Sequence, residues 1–77
     1  MREIAEVARL VRSGDEALFA ALYDRHYRSV RAFCRRRLAP DLVDDAVAET
    51  FLTAWRRLDE VPEGDAALMW LLSLIHI

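Results

Sequence analysis

The sequence predicts an all-α protein, a small bundle of three to four helices forming one domain over its 77 residues. Three observations predict it. Apolar residues recur three and four positions apart along most of the chain, the mark of helix faces. Only two glycines and two prolines interrupt that pattern. Alternating runs of Val, Ile and Thr, which would support strands, are scarce. A hydrophobic fraction of 55% belongs to a chain that folds. Because a chain this short buries only ~60% of its unfolded surface, its stability should be modest.

Ile4, Val7, Ala8 and Val11 make a short amphipathic helix over residues 2–12. Ser13-Gly14-Asp15 is expected to end it, with Gly14 at the C-terminal end and Asp15 capping the next helix. That second helix should run from Glu16 to Leu38, with Leu18, Phe19, Leu22, Tyr23, His26, Tyr27, Val30, Phe33 and Cys34 on its apolar face. Ala39-Pro40 stops it, since proline lacks the N–H and disfavours helix in the residue before it. Asp41 is then expected to cap a third helix that fades near Leu58, ahead of the acidic loop Asp59 to Asp65. Asp65 should cap a last helix from Ala66, apolar almost all round and therefore expected to be buried. This last segment ends abruptly at Ile77, so the domain is expected to be incomplete at its C-terminus, with residues 73–77 a candidate foreign tail.

The third helix has two usable faces. At about 100° per residue, Val43, Ala46, Val47, Thr50, Phe51, Ala54 and Leu58 share one arc wide enough to face a core. On the far side Asp45, Glu49, Leu52 and Arg56 line up at spacings of four, three and four. Such a row can bind a partner, or it can be a solvated face with one exposed leucine. The pattern alone leaves both open. On the second helix, Arg25, Arg28, Arg31 and Arg35, with Arg36 beside them, lie opposite the apolar face. An arginine stripe can follow a phosphate backbone, and it can equally solvate an outer face and complement a helix dipole.

Composition excludes several classes. The net charge of −2 is not that of a polycation that coats nucleic acid. The single Cys34 rules out an intrachain disulfide and a multi-cysteine metal site, and fits a reducing cytoplasm. No apolar run approaches the ~20 residues of a membrane span, and the N-terminus does not resemble a secretory leader. No metal ligand set is visible: His26 and His76 lie far apart, and His26 on an apolar face reads as a partly buried core histidine. There is no glycine-rich phosphate loop and no activated nucleophile. Asp44, Asp45 and Glu49 read as helix-start electrostatics rather than acid–base chemistry. No enzyme is expected and no cofactor.

The residues also carry a family resemblance. Glu16-Ala17-Leu18-Phe19-Ala20-Ala21-Leu22-Tyr23-Asp24-Arg25-His26-Tyr27, preceded by Ser13-Gly14-Asp15, resembles the opening of bacterial extracytoplasmic-function sigma factors. Asp44-Asp45-Ala46-Val47-Ala48-Glu49-Thr50-Phe51-Leu52-Thr53-Ala54-Trp55-Arg56 resembles the D-x-x-Q-E-T-F-x-x-A-W pattern of their region 2.2, and Ala67-Leu68-Met69-Trp70-Leu71-Leu72 the A-x-x-W-L start of the following helix. Order and spacing agree over roughly residues 7–72. The resemblance implies a sigma domain 2, which docks on a coiled coil of the RNA polymerase β′ subunit and captures the single-stranded minus-ten promoter element. By position it places Asp45, Glu49 and Leu52, with Trp55 and Arg56, against the coiled coil. It adds an anti-sigma factor as a further candidate partner. Ala48 stands where the family has Gln, and the polar continuation Ile-Ala-Arg-Asn is replaced by Ser73-Leu74-Ile75-His76-Ile77. A helical module for protein–protein contact alone remains the alternative, and a helix-turn-helix piece is a third, weaker for want of a polar recognition helix.

Overall fold

The computed structural model describes residues 2–75, and side chains from Gly14 onward. Met1, His76 and Ile77 lie outside the described residues, as do the side chains of the expected Ile4, Val7, Ala8, Val11 face. Among the described residues three α-helices follow one another: α1 (Arg2–Arg37), α2 (Pro40–Arg56) and α3 (Ala66–Ser73), with a 3-10 turn at Leu58–Glu60. No strand occurs among the described residues.

The expected break at Ser13-Gly14-Asp15 does not occur, and the first two expected helices are one helix of 36 residues. Gly14 keeps φ negative, since among the described residues only Gly64 has a positive φ. A glycine within a helix costs only ~1 kcal/mol against alanine, too little to stop a helix with no proline nearby. Asp15 is therefore a mid-helix residue and caps nothing.

Asp41 does not cap α2 either. Ala39 holds the N-cap position in an extended conformation (φ −60°, ψ 146°) with Pro40 in the first turn. Proline suits that place because its missing N–H would have no helical partner there, and it forces the preceding residue to be extended. Asp41 follows in the first turn, where its charge still complements the helix dipole.

The two-residue link Leu38-Ala39 folds α1 and α2 into an antiparallel hairpin. Its register shows in the pairs that cross it. Phe19 meets Trp55, Tyr23 meets Phe51, and further along Arg31 meets Asp44. The interface is locked by Val30 and Cys34 from α1 and Val43, Val47, Phe51 and Ala54 from α2. Thr50, also buried, satisfies its hydroxyl by donating to the Ala46 carbonyl at 2.8 Å. The inner arc of α2 is thus as expected from Val43 to Ala54, whereas Leu58 falls beyond the helix in the 3-10 turn and is half-buried. On α1, by contrast, Leu18 is 64% exposed and Tyr23 is exposed at 38%, although both belong to the expected apolar face. Leu18 sits off the arc that faces α2, about 100° round the helix from Phe19.

After α2 the chain turns through Leu58–Glu60 and Gly64, whose φ of 66° closes the approach to α3. Asp65 precedes α3 as expected but makes no side-chain cap bond: its backbone is already helical (φ −70°, ψ −20°), the N–H groups of Ala67 and Leu68 donate to the Gly64 and Asp65 carbonyls, and its carboxylate accepts from Arg25 at 2.8 Å. The apolar last helix is not buried all round. Leu71 is fully buried and Ala67 nearly so, while Met69 is 69% exposed. A two-helix hairpin offers one groove, so one stripe of α3 fills it and the opposite face meets solvent. Beyond α3, Ile75 packs half-buried against the core, and the Ser73 hydroxyl donates to the Trp70 carbonyl.

Candidate functional site

The outward face of α2 is held by a core-facing side that is closely packed: Val43, Val47, Phe51 and Ala54 are each at most 4% exposed. A helix pinned this way presents its other side in fixed register. Asp45, Glu49, Leu52 and Arg56 all lie on that exposed side, as their spacing predicts. Leu52 is 42% exposed, a large apolar side chain set between charged neighbours.

Leu42 joins them. It is 51% exposed and stands three residues before Asp45. The row becomes Leu42, Asp45, Glu49, Leu52, Arg56, with steps of three, four, three and four. Those steps average 3.5 residues, the spacing that keeps one face of a helix in line along its length. The signal for Leu42 was available in the same periodicity, since i−3 shares the face of i.

Trp55 does not stand in the row. It is half-buried, with its ring 5.4 Å from that of Phe19 at an interplanar angle of 78°. Its indole closes the end of the aromatic ladder Phe19, Tyr23, Tyr27 and Phe51 between α1 and α2. Ala48, beside the row, is exposed.

The second surface is the arginine stripe of α1. The structure divides it. Arg25 is paired with Asp65 and Arg31 with Asp44, whose hydrogen bond raises the Arg31 pKa. Arg28, Arg35 and Arg36 are exposed and make no ion pair among the described residues. Arg37, outside the stripe, lies 3.9 Å over the Phe33 ring as a cation–π contact. The acidic loop after α2 is partly neutralised in the same way, since Arg57 makes two 2.9 Å hydrogen bonds to the Glu60 carboxylate and holds its pKa down.

Between α1 and this loop lies an open groove of about 430 Å³, walled by Leu18, Leu22, Leu58, Val61 and Pro62. His26 is at its floor, 5% exposed. Burial holds the imidazole below its ordinary pKa, the neighbouring Arg25 charge adds to this, and Asp65 opposes it. Cys34 is fully buried, and burial pushes its thiol pKa up, so it stays a neutral thiol within the core. No group of three or more His, Cys, Asp or Glu that could hold a metal occurs among the described residues. No helix among them is long and apolar enough to cross a membrane.

Two comparisons bear on these surfaces. The family model described as Sigma-70 region 2 matches residues 22–76. The chain is also 33% identical over 69 residues to RNA polymerase sigma factor NccH of Alcaligenes xylosoxydans xylosoxydans, a match covering 88% of the chain and 37% of that relative. The chain thus spans little more than a third of the length of the curated relative it matches. No solved structure matches.

Proposed function

Because this chain belongs to the sigma-70 region 2 family, we propose that it acts as the second domain of an extracytoplasmic-function sigma factor, docking on core RNA polymerase and contacting the single-stranded minus-ten promoter element. It performs no catalysis. The observation that carries the reading is the seam Leu42, Asp45, Glu49, Leu52, Arg56 on the outer face of a helix whose inner face is locked in the core.

The seam suits the β′ coiled coil in shape and charge. Its two leucines supply apolar knobs, and its two carboxylates pair with basic residues on the coiled coil. Aromatic and apolar groups at the centre of an interface carry most of its binding energy, with charges setting register and encounter rate. Trp55 contributes by positioning, since its ring braces α2 against Phe19. Alanine at position 48, in place of the family's glutamine, removes one side-chain hydrogen bond and weakens docking without abolishing it. On the DNA side, Arg28, Arg35 and Arg36 supply open cations for phosphates, and Arg25 and Arg31 join them when their carboxylate partners are displaced.

A pull-down with the β′ coiled coil tests docking. Wild-type chain should be retained, and the double substitution Asp45→Arg, Glu49→Arg should abolish retention while leaving helicity unchanged. Equal retention of the two proteins would sink the docking assignment. Titration of a minus-ten oligonucleotide over a salt series tests the DNA side. Salt-insensitive or absent binding would leave a module for protein contact alone.

A further inference from the structure

Two arginines of the α1 stripe are closed and the rest are open. At about 100° per residue, Arg31 lies on the side next to α2 and Arg25 towards the loop before α3, with Arg28 and Arg35 between them and Arg36 about 20° beyond Arg25. Arg31 and Arg25 each hold a carboxylate delivered by another element: Asp44 from α2 and Asp65 from the residue preceding α3. These pairs are not needed to seal the core. The Asp44 side chain is 83% exposed and that of Asp65 96% exposed.

We propose that Asp44 and Asp65 are intramolecular masks on the nucleic-acid-binding stripe, occupying Arg31 and Arg25 in the free protein and yielding them to the phosphates of a single strand. The inference rests on the nucleic-acid reading of the stripe given above. Exposed ion pairs contribute little to a fold and are readily exchanged. A nucleic-acid strand offers what a lone carboxylate does not, because each arginine that meets a phosphate releases condensed counterions. A strand therefore displaces both carboxylates, whereas a small monoanion has no such advantage. The displaced carboxylates remain near the phosphate path and repel it, so the masks also weaken the bound state. Their effect is to hold the stripe's intrinsic affinity for a single strand down.

The test is a fluorescence-anisotropy titration of a labelled single-stranded oligodeoxynucleotide with the full chain at low and moderate salt. Asp44→Asn and Asp65→Asn should each tighten binding by about two- to five-fold, and the two effects should multiply in the double variant. Asp41→Asn is the control for net charge, since Asp41 is exposed at the start of α2 and makes no ion pair among the described residues. Asp44→Glu keeps a carboxylate and should bind as wild type does. If wild type binds but neither masking variant exceeds Asp41→Asn, the masks are overturned and the nucleic-acid reading stands. If no protein binds even at low salt, both fall. Circular dichroism of each variant separates loss of binding from loss of fold.

Discussion

The ring of Phe51 on α2 lies 4.8 Å from that of Tyr23 on α1, tilted by 57°. Phe51 also meets Phe19 edge-on at 6.3 Å and Tyr27 at the same distance in a stacked arrangement. One side chain, 3% exposed, therefore ties together three turns of the partner helix. Replacing it removes the centre of the hairpin. Phe51→Ala should destabilise the chain by ~3–5 kcal/mol, enough to unfold a domain this small. Urea denaturation followed by circular dichroism measures it. A loss under 1 kcal/mol would show that the hairpin does not depend on this cluster.

The two faces of α3 should respond differently. Leu71 is fully buried and Met69 is 69% exposed, two positions away. Leu71→Ala should cost ~2–5 kcal/mol through the cavity it leaves, while Met69→Ala should stay within ~0.5 kcal/mol. Thermal melts of the two variants side by side decide the point. Equal shifts would mean that α3 packs by another face.

His26 makes stability depend on pH. Burial and Arg25 hold its folded pKa below the ordinary 6.5, so the unfolded chain binds protons more readily. The contribution is fully present above the unfolded pKa and is lost as pH falls through the folded value. Stability should therefore drop between about pH 7.5 and pH 5.5, before most carboxylates titrate. Denaturant midpoints over that range should flatten in His26→Gln. The same slope in wild type and variant would remove His26 as the cause. Glu60 titrates in the same sense at lower pH, its pKa held down by the hydrogen bond from Arg57, but it is too exposed to contribute much.

The two glycines should behave in opposite ways. A Cβ at Gly14 would meet nothing within 4 Å, and its backbone is helical. Gly14→Ala should stabilise the chain by ~0.5–1 kcal/mol. Gly64 also has open space, yet its φ of 66° is left-handed. Gly64→Ala should cost ~1–2 kcal/mol. Melting temperatures that move the same way for both would contradict the continuous helix or the turn.

Much of α2 and of its outward row was legible because both are periodic. A repeat of 3.6 residues sorts Val43, Val47, Thr50, Phe51 and Ala54 to one side and Asp45, Glu49, Leu52 and Arg56 to the other before any tertiary contact forms. Trp55 was harder to place. It lies next to the row in sequence, and only the antiparallel register shows that Phe19 is there to receive it. The break expected at Ser13-Gly14-Asp15 failed for a related reason. Breaker residues shift the local balance by about 1 kcal/mol, and cooperative helix propagation from the flanking turns outweighs that.

By itself the sequence determined the helical class, the inner and outer faces of α2, the start of α3 and the resemblance to sigma region 2, since each follows from residue type and spacing along one element. Tertiary structure alone decided that Leu71 rather than Met69 is buried, and that the groove over His26 exists. It also decided that Arg25 and Arg31 of the stripe are tied down by Asp65 and Asp44, separated from them by 40 and 13 residues. These pairings depend on how the hairpin and α3 meet. Periodicity assigns a residue to a face of its own helix, but what that face touches is set by chain segments far away in sequence.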